Sequence, residues 1–500
     1  MMKTSEKSLH SIETVRLLTL LATGVGIRLI NIAQPYVDAW SWKNGTNGMI
    51  AENFYRNGFN IFYPQINWAG PAPGFIGTEF PIVPFIAASL YVPFGVQDWI
   101  GRAIAVASFA LSQIFLYFLV KEYSGERRAC LATAIYALAP LGIFAGRTFI
   151  PDTLSVAFSL MALYFFRRWL ERPHSFVLFL FASLATALAS MVKLPAILIG
   201  VPLLYMAWEN YGTLLLRRRD IWAFAAISLI LPIAWYSHSW IVSASYFPHQ
   251  HAAETPELVD LHGYEVILQR IAVSNLTPVV TAGMLVGLFL PPLGTYRWTF
   301  HWWLAAVCFY IFIAGNLNLR HPWYQLPIVP VAAAFAGIAF AFTLDQVREI
   351  TASKIIGRVA GVVLFVALGA FSFWYVKPLY FSWATPLWRA GNEVNRITPS
   401  NALVVFVDGG DASALYYARR KGWHALDASY WGNPKNSAQA ISALEELRKQ
   451  GASHLVFTRF TAWWLDIYKD FEKHLDTRYR RISQTNDYII FDLSGAAPEA

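Results

Sequence analysis

Eleven stretches of this chain are apolar over nearly the length that a bilayer's hydrocarbon core requires. They are roughly 14–33, 99–120, 129–146, 152–168, 174–191, 194–209, 221–243, 274–293, 299–316, 323–344 and 357–377. Backbone N–H and C=O groups cannot stay unpaired in lipid, so such a chain forms a helical bundle or a closed barrel. The runs are continuous, not alternating ten-residue strands, which selects helices. The expected fold class is a polytopic α-helical membrane protein of about 11–13 transmembrane helices, with a small external α/β domain. Segment 81–96 (PIVPFIAASLYVPFGV) is apolar but short and holds three prolines. It reads as a re-entrant or lipid-facing piece, or as the outer half of the next helix, rather than a full crossing.

Charge sets the orientation. Only 14 % of residues are charged, against about a quarter in a soluble domain. Threading the spans alternately puts KEYSGERR (121–128), RRWLERPH (167–174), LLLRRRD (214–220), TYRW (295–298) and DQVREITASKIIGR (345–358) on one side. The positive-inside rule makes that side cytoplasmic and accounts for the net charge of +8 without a nucleic-acid partner. The expected location is the inner (plasma) membrane, multi-pass, with membrane lipids as neighbours. Cys130 and Cys308 fall in predicted helices and form no metal or disulfide pattern. The start reads as an uncleaved first helix, because Arg28 interrupts the run and no small-residue cleavage site follows.

The division into domains follows. Residues 1–385 make the transmembrane domain, with a long first external loop at 34–98. Residues 390–500 make an external, periplasmic α/β domain. Its strands are expected at 402–407, 454–457 and 488–493, and its helices at 412–420 and 436–450.

The external segments hold the polar residues that a membrane chain places with care. Asp38 directly follows the first helix, at a depth where an unpaired carboxylate is costly. Residues 47–57 read as an amphipathic interfacial helix. Trp40, Trp42, Phe54, Phe59, Tyr63 and Trp68 read as headgroup-level aromatics or as a structural cap. GRTFIPD (146–152) forms an external turn in which Pro151 opens a helix. Asp152 then complements the helix dipole, or faces a membrane-level cavity with Asp38 and Arg147. Lys193, in ASMVKLP, snorkels to the headgroups or binds a lipid phosphate. LNLRHPWYQLP (317–327) adds Arg320, His321 and Tyr324, and the segment 244–273 adds His249, His251 and His262. N-G-T (44–46) and N-L-T (275–277) are sequons on the same side.

Taken in order, these motifs resemble a family. They are an Asp after helix one, Glu79-Phe80-Pro81 at the end of an aromatic loop, RTFIPD (147–152), Lys193-Leu194-Pro195, and His321 to Pro330 as H-x-W-Y-x-L-P-x-x-P. The order resembles the GT-C glycosyltransferases that use polyprenyl-phosphate sugars, in the branch of protein O-mannosyltransferases and aminoarabinose lipid A transferases. The resemblance implies an enzyme that moves a single sugar, hexosyl or pentosyl, from a polyprenyl-phosphate carrier to a hydroxyl of a glycan, lipid or protein, with inversion, on the external face. It implies catalytic roles for Asp38 and Asp152, while donor-phosphate binding is expected from this chain's own Lys193, Arg147, Arg320 and Tyr324. It also implies a divalent metal held by Glu79 and one of His249, His251 or His262. Two departures stand out. Ala39 follows Asp38 where many relatives have Glu, and Phe80 stands where the lipid A branch has a basic residue. The rival reading is a transporter of a polar or lipid-linked substrate. Against it, the charges gather at external turns and no two halves resemble each other.

Overall fold

The computed structural model describes residues 2–246, 256–292, 294–351, 353–424 and 433–494. The chain divides into two compact units. The first comprises residues 1–32, 102–237 and 253–379; the second comprises 33–101, 238–252 and 380–500. The linear boundary expected near 385 is therefore not how the chain clusters: the first loop groups with the tail.

The first unit is helical, and every expected span is helical in its body. Among the described residues, the helices long and apolar enough to cross a membrane are Asp98–Ser124, Arg219–Ser245, Ile328–Thr351 and Ile355–Ile397. A fifth crossing results if Leu261–Asn275 and Pro278–Phe289, bent by 104°, count as one broken span. The other expected spans are shorter helices or broken ones. Residues 129–146 form Glu126–Leu138 and Pro140–Ala145, because Pro140 has no N–H to continue the ladder. Arg28 serves the carbonyls around that break. Its guanidinium donates to Ala137 O (3.1 Å) and Gly142 O (3.2 Å) and lies 3.1 Å over the Phe109 ring. The charge at the end of helix one is thus fully buried. The segment 244–273, expected as a loop, is helical from Leu261 and passes through a π-turn, Arg270–Asn275. Thr277, at φ 80°, makes the bend, and its hydroxyl caps the next helix at Val280 N–H.

Small residues hold the first unit together. Ile328–Thr351 buries a run from Ile328 to Gly337 without interruption and packs on both Glu126–Leu138 and Pro278–Phe289. A Cβ at Gly337 would stand 2.6 Å from Ala132 N. Close backbone approach of this kind is how helices associate where lipid removes the hydrophobic drive.

The second unit is built on a five-stranded sheet, β1 (Leu403–Val407), β2 (Lys421–Trp423), β3 (Ala452–Thr458), β4 (Arg480–Gln484) and β5 (Tyr488–Asp492). The order is β2-β1-β3-β5-β4. β1 is parallel to β2 and β3, and β5 is antiparallel to β3 and β4. The three expected strands are present; β2 and β4 were not legible as strands. Val405, Leu455, Phe457, Phe471 and Phe491 form the core on one face. The first loop belongs to this fold. Asn67 O accepts from Gly422 N–H (2.9 Å) and Gly70 N–H donates to Gly422 O (2.8 Å), which covers the open edge of β2. Only glycine fits at 422, since a Cβ would lie 1.9 Å from Val404 O. The interfacial helix expected at 47–57 is longer, Ser41–Asn57. Phe54 and Trp68 are core residues of this unit rather than headgroup anchors.

The tail carries an acid-sensitive element. Burial would raise the Glu445 carboxyl, but hydrogen bonds from Tyr479, His474 and Arg448 outweigh it and hold the group down at about 2. A folded value below the unfolded one, about 4.3, stabilises at pH above the unfolded value. That stabilisation is lost as pH falls toward 2. The expected result for Glu445→Gln is lower stability at pH 6 and a shallower loss of melting temperature between pH 5 and pH 3, read by tryptophan fluorescence. A slope equal to wild type would remove Glu445 from the account.

Candidate functional site

In the first unit, the turn at GRTFIPD is held from several sides. Thr148 donates to Phe144 O (2.7 Å), and Thr153 donates to Ala145 O (3.0 Å). Arg147 donates to Asn31 O (3.0 Å) and is fully buried. The helix Asp152–Glu171 starts at Asp152, and Ser155 ties it to the neighbouring helix through Ala189 O (2.9 Å). Lys193 ends that neighbouring helix, Phe176–Val192. Its Nζ stands 3.7 Å from Asp152 Oδ1 and 4.1 Å from the centre of the Tyr324 ring. Lys193 is 8 % exposed and Asp152 5 %. The structure therefore brings together three of the sequence-derived residues, one each from the motifs RTFIPD, KLP and HPWY.

The three line a cavity of about 40 Å³, with Ser155, Tyr310 and an apolar wall that includes Leu198, Ile199 and Trp303. By that measure the space takes about three waters. It suits the oxygens of a small anion beside a cation, in apolar surroundings that strengthen the attraction.

Arg320 is exposed at the end of the helix Gly315–Arg320 and does not line this cavity. Arg147 does not line it either. Behind the HPWY turn lies a polar network that no motif announced. Asn275 donates to Gln325 (2.6 Å), Gln325 donates to Asn318 O (3.0 Å), and Arg270 donates to Asn318 O (3.1 Å) and Leu319 O (3.0 Å). The network fixes the backbone that presents Tyr324. It also commits Asn275. Asn44, the other sequon asparagine, is fully buried. Neither sequon offers an accessible glycan acceptor in the folded chain.

In the second unit, Asp38 has no accessible surface. Its turn is pinned on both sides. Tyr36 N–H donates to the Tyr417 hydroxyl (2.6 Å), Val37 O accepts from Ala384 N–H (3.0 Å), and the Ser41 hydroxyl donates to Asp411 (2.5 Å). Trp40 sits at φ 63°, a strained conformation for a bulky residue that only a fixed surrounding can hold. Burial pushes the Asp411 carboxyl up, against the hydrogen bonds from Ser41 and Ser413. Asp98 is a further anchor that sequence reading missed: its two oxygens accept from the hydroxyls of Tyr416 (2.9 Å) and Tyr417 (2.8 Å).

Glu79 stands 3.9 Å from Lys43, and His262 is exposed and 3.5 Å from Glu265. His249 and His251 lie outside the described residues. Among the described residues no group of three or more His, Cys, Asp or Glu side chains could hold a metal ion.

Residues 78–238 match the family model described as dolichyl-phosphate-mannose-protein mannosyltransferase. The matched span holds Glu79, Arg147, Asp152 and Lys193, and leaves out Asp38, Arg320 and Tyr324. The crystal structure of ArnT from Cupriavidus metallidurans in the apo state is similar over 97 % of this chain and 99 % of that one, with a TM-score of 0.68 and 15 % identity. The structure of the same protein bound to undecaprenyl phosphate gives a TM-score of 0.64 at 14 % identity, over 96 % and 99 % of the chains. The archaeal oligosaccharyltransferase AglB from Archaeoglobus fulgidus, in complex with an inhibitory peptide and a dolichol-phosphate, gives 0.62 at 13 % identity, over 98 % and 74 %. Comparison with curated protein sequences gives no match. The resemblance drawn from the motifs thus holds in the family model and in the GT-C fold.

Proposed function

We propose that the chain, which carries the GT-C fold of solved polyprenyl-phosphate-dependent transferases, moves one sugar from a polyprenyl-phosphate carrier to a hydroxyl of a glycan, lipid or protein. The reaction is a single inverting displacement. The acceptor oxygen attacks the anomeric carbon, the bond from that carbon to the phosphate oxygen breaks, and the acceptor proton passes to a carboxylate. Polyprenyl phosphate leaves with the electron pair.

A glycosyl phosphate already has a good leaving group, so the protein must supply a base, cover for the phosphate charge and position. Asp38 is the base, held rigid by the pinned turn around it. Lys193 receives the donor phosphate, with Tyr324 beneath its ammonium and Asp152 holding it in place. Arg147 and Arg320 serve the phosphate less directly. The observation that carries this reading is the burial of the Lys193 ammonium against Asp152 and Tyr324 at a cavity wall. A buried cation kept at that cost is a functional hypothesis by default in a membrane chain. The reaction is placed on the external face, with residues 390–500 periplasmic, on the strength of the loop charges.

Mass spectrometry of surface glycolipids and glycoproteins from a deletion strain tests the proposal. The expected result is one missing sugar on an otherwise intact acceptor. An unchanged glycan profile would reject the assignment.

A further inference from the structure

Beside the basic segments 121–128 and 295–298, the first unit holds a second cavity, of about 210 Å³. It shares no lining residue with the Asp152–Lys193 cavity. Its polar wall holds two cations, Arg128 and Arg297, and the His301 ring. Among the described residues neither arginine has a carboxylate partner. Arg128 donates only to Ser124 O (3.2 Å), and Arg297 lies 5.9 Å from the centre of the Trp298 ring. Nearby acids are already committed. Glu126 pairs with Arg16, Glu122 with Arg167 and Arg168, and Asp345 with Arg127.

His301 adds a directed group. Its Nε2 bonds Leu288 O (3.2 Å), and because a carbonyl only accepts, Nε2 carries the proton. Nδ1 is buried with no hydrogen-bond partner. In this tautomer Nδ1 is an acceptor, suited to a hydroxyl of a headgroup. The helix Thr299–Ile313 begins at the same wall with no side-chain cap from Trp298, so its positive end adds to the field. The remaining wall is apolar and includes Phe300, Phe335 and Phe342. Phe342 is 43 % exposed, so this wall runs out onto the apolar surface of the unit.

We infer that this cavity binds the phosphate of an anionic lipid. Arg128, Arg297 and His301 take the headgroup, and the acyl chains lie along Phe342. Two arginines without carboxylates define an anion site, and an imidazole with an unused acceptor adds a place for a headgroup hydroxyl. The apolar wall that leads outward makes the ligand an amphiphile. The site does not depend on the transferase reading.

The test uses delipidated full-length protein and native mass spectrometry with phosphatidylglycerol, phosphatidylcholine and inorganic phosphate as probes. Phosphatidylglycerol is expected to be retained in preference to phosphatidylcholine. Arg128→Gln/Arg297→Gln is expected to weaken retention about fivefold for each arginine removed. Arg128→Lys/Arg297→Lys keeps the charge and is expected to retain most of the binding, which separates lost charge from lost folding. Equal retention of both lipids, or unchanged retention in the Gln variant, would overturn the site. Displacement of the lipid by millimolar inorganic phosphate would overturn the assignment to a lipid.

Discussion

Asp38→Asn is expected to lower the turnover of sugar transfer by about 10²–10⁴-fold, the usual contribution of a positioned base. The substitution keeps size and shape, and removes only the capacity to accept the proton as a carboxylate. The turn that carries Asp38 is held by bonds from Tyr36, Val37 and Ser41 to residues far along the chain. None of these bonds uses the Asp38 side chain, but the carboxylate is itself fully buried, so the melting temperature of the variant is measured beside its turnover. The effect belongs on kcat, with the KM for the carrier lipid little changed. Wild-type turnover in a folded Asp38→Asn protein would remove Asp38 as the base.

Lys193→Gln is expected to act on the donor instead. A hydrogen bond to a charged group is worth about 1.5–3 kcal/mol, so the KM for the carrier lipid should rise about tenfold to a hundredfold. The same substitution takes the cation from Asp152, whose carboxylate is 5 % exposed, and breaking a buried pair costs about 3 kcal/mol or more. A stability loss alone would therefore not identify a functional lysine. Combining it with Asp152→Asn removes both charges and should restore most of the melting temperature while donor affinity stays low. Recovery of donor affinity together with stability would reduce Lys193 to a structural partner of Asp152.

Much of the first unit was legible because apolar runs mark helices whatever their partners. The order Asp152, Lys193, Tyr324 was legible too, since each residue sits within two positions of a proline that sets a turn. What the sequence concealed depends on partners far away. Pro140 announces a broken helix, but nothing local says that Arg28 will serve the exposed carbonyls from more than a hundred residues away. Asp98 reads as an ordinary first-turn acid, yet it takes hydroxyls from Tyr416 and Tyr417. The grouping of residues 33–101 with the tail rests on such bonds and on the edge of β2, and neither leaves a periodic trace. Strands β2 and β4 were hidden for another reason: KGW is too short to show alternation, and RRISQ has one apolar residue in five.

The most direct test follows the carrier lipid itself. Purified wild-type protein and Asp38→Asn would be reconstituted with a membrane extract containing the cell's polyprenyl-phosphate sugars and acceptors, and the lipids followed by mass spectrometry. Wild type is predicted to release free polyprenyl phosphate in step with sugar appearing on an acceptor, and Asp38→Asn to release almost none. Carrier lipid that crosses the bilayer uncleaved, or stays intact with both proteins, would contradict the account.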